Sequence, residues 1–129
     1  MTDIYGNGIA LTGKVLDNLW ARQTVTLNNI ANVDTPGFKS QYITFEEELR
    51  KKISHADNRS NAREKVYQSI QSSDARVQTT WGESSRLDGN NVDMDQEQVD
   101  LVRAVFEYQS MANSISNDLN RLRSAAKSF

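Results

Sequence analysis

Apolar residues recur at helical spacing near each end of this chain and thin out between them. Met94, Gln98, Leu101, Val105, Tyr108, Ala112, Ile115, Leu119, Leu122 and Ala126 follow one another at alternating steps of four and three, with Gln98 as the polar member. That is a heptad stripe, and it predicts a helix over about residues 94–126. Asp93 stands where an N-cap belongs, Asp95 and Glu97 fall in the first turn, and Arg121, Arg123 and Lys127 lie near the end, so both termini suit the helix dipole. At ~1.5 Å per residue this helix is about 50 Å long, whereas a compact chain of this size has a radius of gyration of about 14 Å. The predicted shape is elongated.

The N-terminal stripe is less regular. Ile9, Leu16 and Ile30 share one seven-residue series with Gln23 as its polar member, and Trp20 and Leu27 share the companion series. This predicts a helix over about 9–31, with Gly6, Asn7 and Gly8 disfavouring an earlier start. The pattern stops in Asn28-Asn29-Ile30-Ala31-Asn32-Val33-Asp34-Thr35-Pro36-Gly37-Phe38-Lys39, which holds the sole proline. Pro36 presets φ for the second position of a turn, and Gly37 can take the positive φ that a type II turn needs at its third. Thr35, preceding proline, is pushed out of the helical region.

Between the two stripes the pattern weakens. Residues 44–53 read as a short helix, with Thr44 and Glu47 placed for a capping box and Glu46/Arg50, Glu47/Lys51 and Glu48/Lys52 at i,i+4 with the acid first. Its charged run is expected to be a solvated face. From His55 to Asn91 the chain is rich in Ser, Asn, Asp, Gln and Arg and reads as largely irregular. Val66, Gln68, Ile70 and Val77, Thr79, Trp81 alternate about a Ser72-Ser73-Asp74 turn signal, the one candidate for a small β-hairpin. The fold class is therefore mainly α, divided as 1–39, an outer segment 40–91 with the short helix 44–53 and a polar loop, and 92–129.

Composition removes whole classes of chemistry. The 129 residues carry a net charge of −2 with pI near 5.4, so no clustered basic face for nucleic acid is expected. No run approaches the ~20 apolar residues of a membrane span, and no continuous apolar h-region marks a Sec-type signal. Without cysteine there is no thiol catalysis and no zinc-thiolate site. Residues 8–15, Gly-Ile-Ala-Leu-Thr-Gly-Lys-Val, come close to a phosphate-binding loop, yet Val15 stands where a magnesium-liganding hydroxyl belongs and no strand precedes it. The cluster Asp88, Asp93, Asp95, Glu97 places Gly89 wrongly for a calcium loop, and His55 has no partner at ligand spacing. No catalytic residue, metal, cofactor or small-molecule substrate is expected. Trp20 and Tyr108 sit on the stripes as packing groups, while Trp81 stands in a polar stretch and fits a local cluster or a partner's groove equally well.

Ala31-Asn32-Val33-Asp34-Thr35-Pro36-Gly37-Phe38 has the form A-N-x-x-T-P-G-[FY], placed at the end of an N-terminal helix and balanced by a C-terminal heptad helix. In this the chain resembles the axial proteins of the bacterial flagellum, which build its rod, hook and filament. The short length, and Leu87-Asp88-Gly89-Asn90-Asn91-Val92-Asp93-Met94-Asp95 opening the last helix, look most like the proximal rod. The resemblance implies an elongated antiparallel coiled coil of the two terminal helices, lining a helical tube around the export channel. It implies that Leu16, Trp20, Leu27 and Ile30 meet Leu101, Val105, Tyr108, Ala112, Ile115, Leu119 and Leu122 across the seam. Asn32, Thr35, Pro36, Gly37 and Phe38 form the turn that directs the chain out of it. The implied partners are other rod subunits and the base of the basal body, at the MS ring or export gate, with export through the flagellar apparatus and without a Sec signal. The rival readings are a soluble helical adaptor or export chaperone and, more remotely, a nucleotide-binding fragment using Gly13 and Lys14.

Overall fold

The computed structural model describes residues 6–56, 61–82 and 86–127. Four helices and two strands follow in the order α1 (Gly6–Ala31), β1 (Gln41–Thr44), α2 (Glu46–Ala56), α3 (Ala62–Gln71), β2 (Arg76–Thr79) and α4 (Met94–Lys127). The chain is mainly α, with long first and last helices, as the periodicity requires. These two run antiparallel: Asn29 lies beside Glu97, the Trp20 and Tyr108 rings are 6.4 Å apart, and Ile9 lies with Leu119 and Leu122.

α1 starts at Gly6, three residues before the apolar pattern begins, and Thr12 donates to the Gly8 carbonyl inside its first turns. α4 opens as predicted. The Asp93 carboxylate accepts from the Asp95 and Gln96 amides at 3.0 and 3.2 Å, satisfying donors that the first helical turn leaves orphaned.

The principal apolar core is not the α1–α4 seam. Ile43, Phe45, Leu49 and Ile70 are buried together, with Ala10, Leu11, Val15, Ala21 and Val25 of α1 and Ile53 and Val66 packed against them. Each such side chain, fully withdrawn from water, contributes on the order of 1.5–3 kcal/mol. α1 therefore has two packing faces, one toward α4 and one toward the outer segment, where a single narrow stripe was expected. Ala10, Leu11, Val15, Ala21 and Val25 supply the second face, while Ile9 and Trp20 lie against α4.

The middle of the chain is more ordered than its composition suggests. Residues 66–70, expected as one arm of a hairpin, lie in α3 instead, because Val66 and Ile70 at i,i+4 face the core on one side of a helix. The other arm is β2, but its partner is β1: Gln41 pairs with Thr79 and Thr44 with Arg76 in an antiparallel two-stranded sheet. Thr44 consequently closes a strand and does not cap α2. Its hydroxyl donates to the Arg76 carbonyl at 3.5 Å, and α2 begins two residues later. The charged run of α2 is not only a solvated face either. Glu46 reaches Arg22 at 2.7 Å, Glu48 reaches Arg76 at 3.6 Å, and the Lys52 ammonium donates to the Ser72 carbonyl at 2.7 Å. Glu47 alone makes the helix-internal pairs, with Arg50 and Lys51.

Candidate functional site

Two features stand apart as candidates: a polar junction where both long helices end, and the flanks of the helix pair. The junction is built on two glycine turns. Gly37 has φ +71°, and the Phe38 amide donates to the Thr35 carbonyl at 3.2 Å, so Thr35-Pro36-Gly37-Phe38 is the type II turn the sequence specifies. Gly89 has φ +77°, and a Cβ there would stand 3.6 Å from the Gly37 Cα. The Gly37 amide donates to the Asp88 carbonyl at 2.8 Å, which locks one turn on the other.

Asparagines complete the junction. Asn90, fully buried, donates through Nδ2 to the Asn32 and Thr35 carbonyls, both at 2.9 Å, and its Oδ1 accepts from the Val92 amide at 2.8 Å. Asn91 accepts from the Ser40 amide at 2.7 Å and donates to the Thr80 carbonyl at 2.8 Å. Asn29 donates to the Gln41 carbonyl at 2.7 Å and accepts from the Gln41 amide at 2.9 Å, occupying the edge of β1 as a neighbouring strand would. Lys39 reaches the Gly89 carbonyl at 2.6 Å, and Arg86 reaches the Val33 carbonyl at 2.8 Å. Asn32 and Thr35, named from the motif, bond to each other, whereas Pro36 and Gly37 are exposed and Phe38 is half-buried. The Asn29, Asn90 and Asn91 roles were not legible, since a buried asparagine has the same letter as a loop asparagine. The density of Asn at 28–32 and 90–91 was the available signal.

Asn29 also donates to the Glu97 carboxylate at 2.9 Å. Burial pushes the Glu97 pKa upward; the Asn29 hydrogen bond opposes that shift, and Asp100 and Asp93 reinforce it. Arg22 and Arg103 line the same cleft.

On the helix pair, Leu16, Ile30, Leu101, Ala112, Ile115 and Leu122 are half-buried, while Trp20 is 62% exposed and Leu27, Val105, Tyr108 and Leu119 are also exposed. In the first half of α4 the inward line runs through Glu97, Leu101 and Ala104, not through Gln98, Leu101 and Val105; Ala104, 1% exposed, was missed because a small residue carries a weak apolar signal. Val99, Val102 and Phe106, off the stripe, are 55%, 69% and 70% exposed. Trp81 is exposed and belongs to no buried cluster. The arrangement offers large apolar surface, and among the described residues no group of three or more His, Cys, Asp or Glu is placed to hold a metal ion. Residues 8–15 lie within α1, where Lys14 pairs with Asp74 at 3.1 Å. His55 is exposed at the end of α2, its Nδ1 near the Lys51 carbonyl. Among the described residues no helix is long and apolar enough to cross a membrane.

Comparison with known proteins bears on what this surface is for. The family described as flagella basal body rod protein matches residues 16–39, the stretch that carries the second half of α1 and the Thr-Pro-Gly turn. The chain is similar to the flagellar basal body rod protein FlgB of Borrelia hermsii, 35% identical over 120 residues that cover 86% of this chain and 89% of that protein. It is similar to the FlgB of Borreliella burgdorferi, at 32% identity with 84% and 87% covered, and to that of Escherichia coli K12, at 29% with 83% of each.

Proposed function

The chain belongs to the flagellar basal body rod proteins, a structural and non-enzymatic family, and we propose that it is a subunit of the proximal rod that joins other rod proteins in a helical tube around the export channel. The observation that carries this reading is the incomplete burial of the helix pair. Trp20, Leu27, Val99, Val102, Phe106 and Leu119 stay exposed along the helix pair, and exposed apolar surface of that kind marks interaction sites. In an assembly, neighbouring copies and other rod subunits cover those flanks, with the base of the basal body receiving the first of them. The tube transmits torque, and the subunit reaches it by flagellar export without a Sec signal.

The junction has a supporting role in this reading. By tying residues 32–40 to 86–91 it fixes the angle at which the outer elements leave the helix pair, so that each copy presents the same surface to its neighbours.

Leu27→Asp tests the proposal. The side chain is half exposed in the subunit, so the purified variant keeps its helical content, while its recovery in isolated basal bodies is lost. Recovery of the variant at the wild-type level would sink the proposed role of the flanks, and absence of the wild-type chain from basal bodies would sink the rod assignment itself.

A further inference from the structure

Asn29 pairs with the edge of β1 at Gln41, and the same three elements repeat that arrangement one step further on without a second asparagine. The step runs from Asn29 to Thr26 along α1, from Gln41 to Ile43 along β1, and from Glu97 to Asp100 along α4. The register is pinned on both sides. Asn29 joins Gln41 and Glu97 at one end, and Arg22 reaches Glu46 at 2.7 Å and Glu107 at 3.8 Å at the other. Thr26, Ile43 and Asp100 lie between these pins and, with Gln41, Glu97 and Arg103, line one cleft of about 230 Å³. The Thr80 amide donates to the Ser40 carbonyl at 2.8 Å, so the backbone groups of residue 40 face β2 and, by the alternation of an antiparallel ladder, those of Gln41 and Ile43 face the other way. The Asn29 carboxamide satisfies both groups of Gln41. Among the described residues nothing pairs with the N–H or C=O of buried Ile43, and buried backbone groups are rarely left so. Thr26, 5% exposed, is too short to do there what Asn29 does. Thr12 and Thr24 turn their hydroxyls onto the carbonyls four residues back, whereas the Thr26 hydroxyl has no partner among the described residues and lies on the cleft wall.

Resting on the rod reading above, we propose that this cleft binds a primary carboxamide, the end of a glutamine or asparagine side chain presented by a neighbouring rod subunit. A group with one acceptor oxygen and two N–H donors matches the site. Its oxygen accepts from the Ile43 amide and the Thr26 hydroxyl, one N–H donates to the Ile43 carbonyl, and the other donates to Asp100, as Asn29 does with Gln41 and Glu97. Asp100 has an oxygen for this, since Gln96 takes only its Oδ2, at 3.0 Å. The walls select a neutral group, because Arg22 and Arg103 balance Glu97 and Asp100. A carboxylate has no hydrogen for the Ile43 carbonyl, and an ammonium has no acceptor for its amide. An apolar cavity of about 150 Å³ already accepts a benzene ring, and a glutamine side chain is no bulkier, so the cleft has room. A free small amide has too few atoms to bind tightly; a neighbour held in the assembly presents its amide at high effective concentration.

Titration of the purified wild-type chain with propionamide, followed by amide NMR, tests the site. The Ile43 amide proton is expected to move downfield saturably, while propionate and N,N-dimethylpropionamide, which have no N–H to give, leave it in place. No saturable response at Ile43, or an equal response to all three compounds, overturns the site. Thr26→Val keeps the shape of the side chain without its hydroxyl and lowers the affinity for propionamide about fivefold, as the loss of ~1 kcal/mol does; an unchanged affinity overturns the part given to Thr26. Thr26→Gln brings its own carboxamide to Ile43, so its melting temperature rises and its response to propionamide is lost, and a response that persists in the folded variant counts against the site. The wild-type titration decides the site even where that variant fails to fold. Basal bodies isolated from cells with either variant as sole copy identify the source of the amide. With a neighbouring subunit as the source, recovery of the chain falls about fivefold for Thr26→Val and further for Thr26→Gln. Recovery of both at the wild-type level, with propionamide binding intact in solution, overturns the neighbour as the source. Absence of the wild-type chain from basal bodies overturns the rod reading and the neighbour with it, while the titration in solution stands by itself.

Discussion

Asn90→Ala removes a side chain that ties the two glycine turns together, and its cost follows from the bonds lost. The Val92 amide loses its acceptor at a residue only 5% exposed, and an orphaned buried donor costs about 1–3 kcal/mol. The Asn32 and Thr35 carbonyls lose the Nδ2 donor but keep backbone donors, from Thr35 at 3.0 Å and Phe38 at 3.2 Å. Those two losses therefore count as ordinary hydrogen bonds, about 0.5–1.5 kcal/mol each. The expected destabilisation is about 2–6 kcal/mol, which at this chain length lowers Tm by roughly 7–22 °C. Asn90→Asp separates shape from hydrogen bonding. One carboxylate oxygen still accepts from Val92, but the other faces two carbonyl oxygens, which disfavours the charged form and raises its folded-state pKa above the ordinary value of about 3.9. Below that ordinary value both states are protonated and the penalty is absent; it grows as pH rises through the raised folded-state value. Thermal unfolding of the purified chain, followed by circular dichroism from acid to neutral pH, reads both variants. An Asn90→Ala melt within about 2 °C of wild type, or an Asn90→Asp deficit independent of pH, refutes the assigned bonding.

Gly37→Val places a β-branched residue at φ +71° with no atom within 4 Å of the new Cβ, so the loss, about 1–3 kcal/mol, is purely backbone strain; Gly37→Asn should recover most of it, and a neutral Gly37→Val in chemical denaturation removes the turn argument. Glu97→Gln tests the buried carboxyl. Because burial raises the Glu97 pKa, wild-type stability is greatest with the proton bound and declines as pH rises through the raised value. The glutamine variant, still able to accept from Asn29, should gain on wild type as pH rises from acid to neutral, and a difference that is constant or shrinks in paired melts contradicts the stated cause.

Elements set by near neighbours in the chain were legible. The heptad spacing from Met94 to Ala126 marked α4, Asp93 marked its cap, and Pro36-Gly37 marked a turn with positive φ, because periodicity, capping and turn chemistry each depend on residues within a few positions. The family motif was legible in the same stretch. What local pattern left undecided was which surfaces meet. β1 found β2 across a separation of 38 residues, from Gln41 to Thr79, and no local signal ranks that pairing above a hairpin. Val66 and Ile70 suit a strand at two-residue spacing and a helix at four, and only the core formed with Phe45 and Leu49 settles the choice. The second face of α1, the inward turn of Ala104 and the burial of Asn29 and Asn90 likewise exist only once a partner surface is present. The chemistry of the chain alone set its long helices and the turn between them. Tertiary structure decided which of their faces are closed and which stay open for assembly, because burial is a property of two surfaces and the sequence lists them one residue at a time.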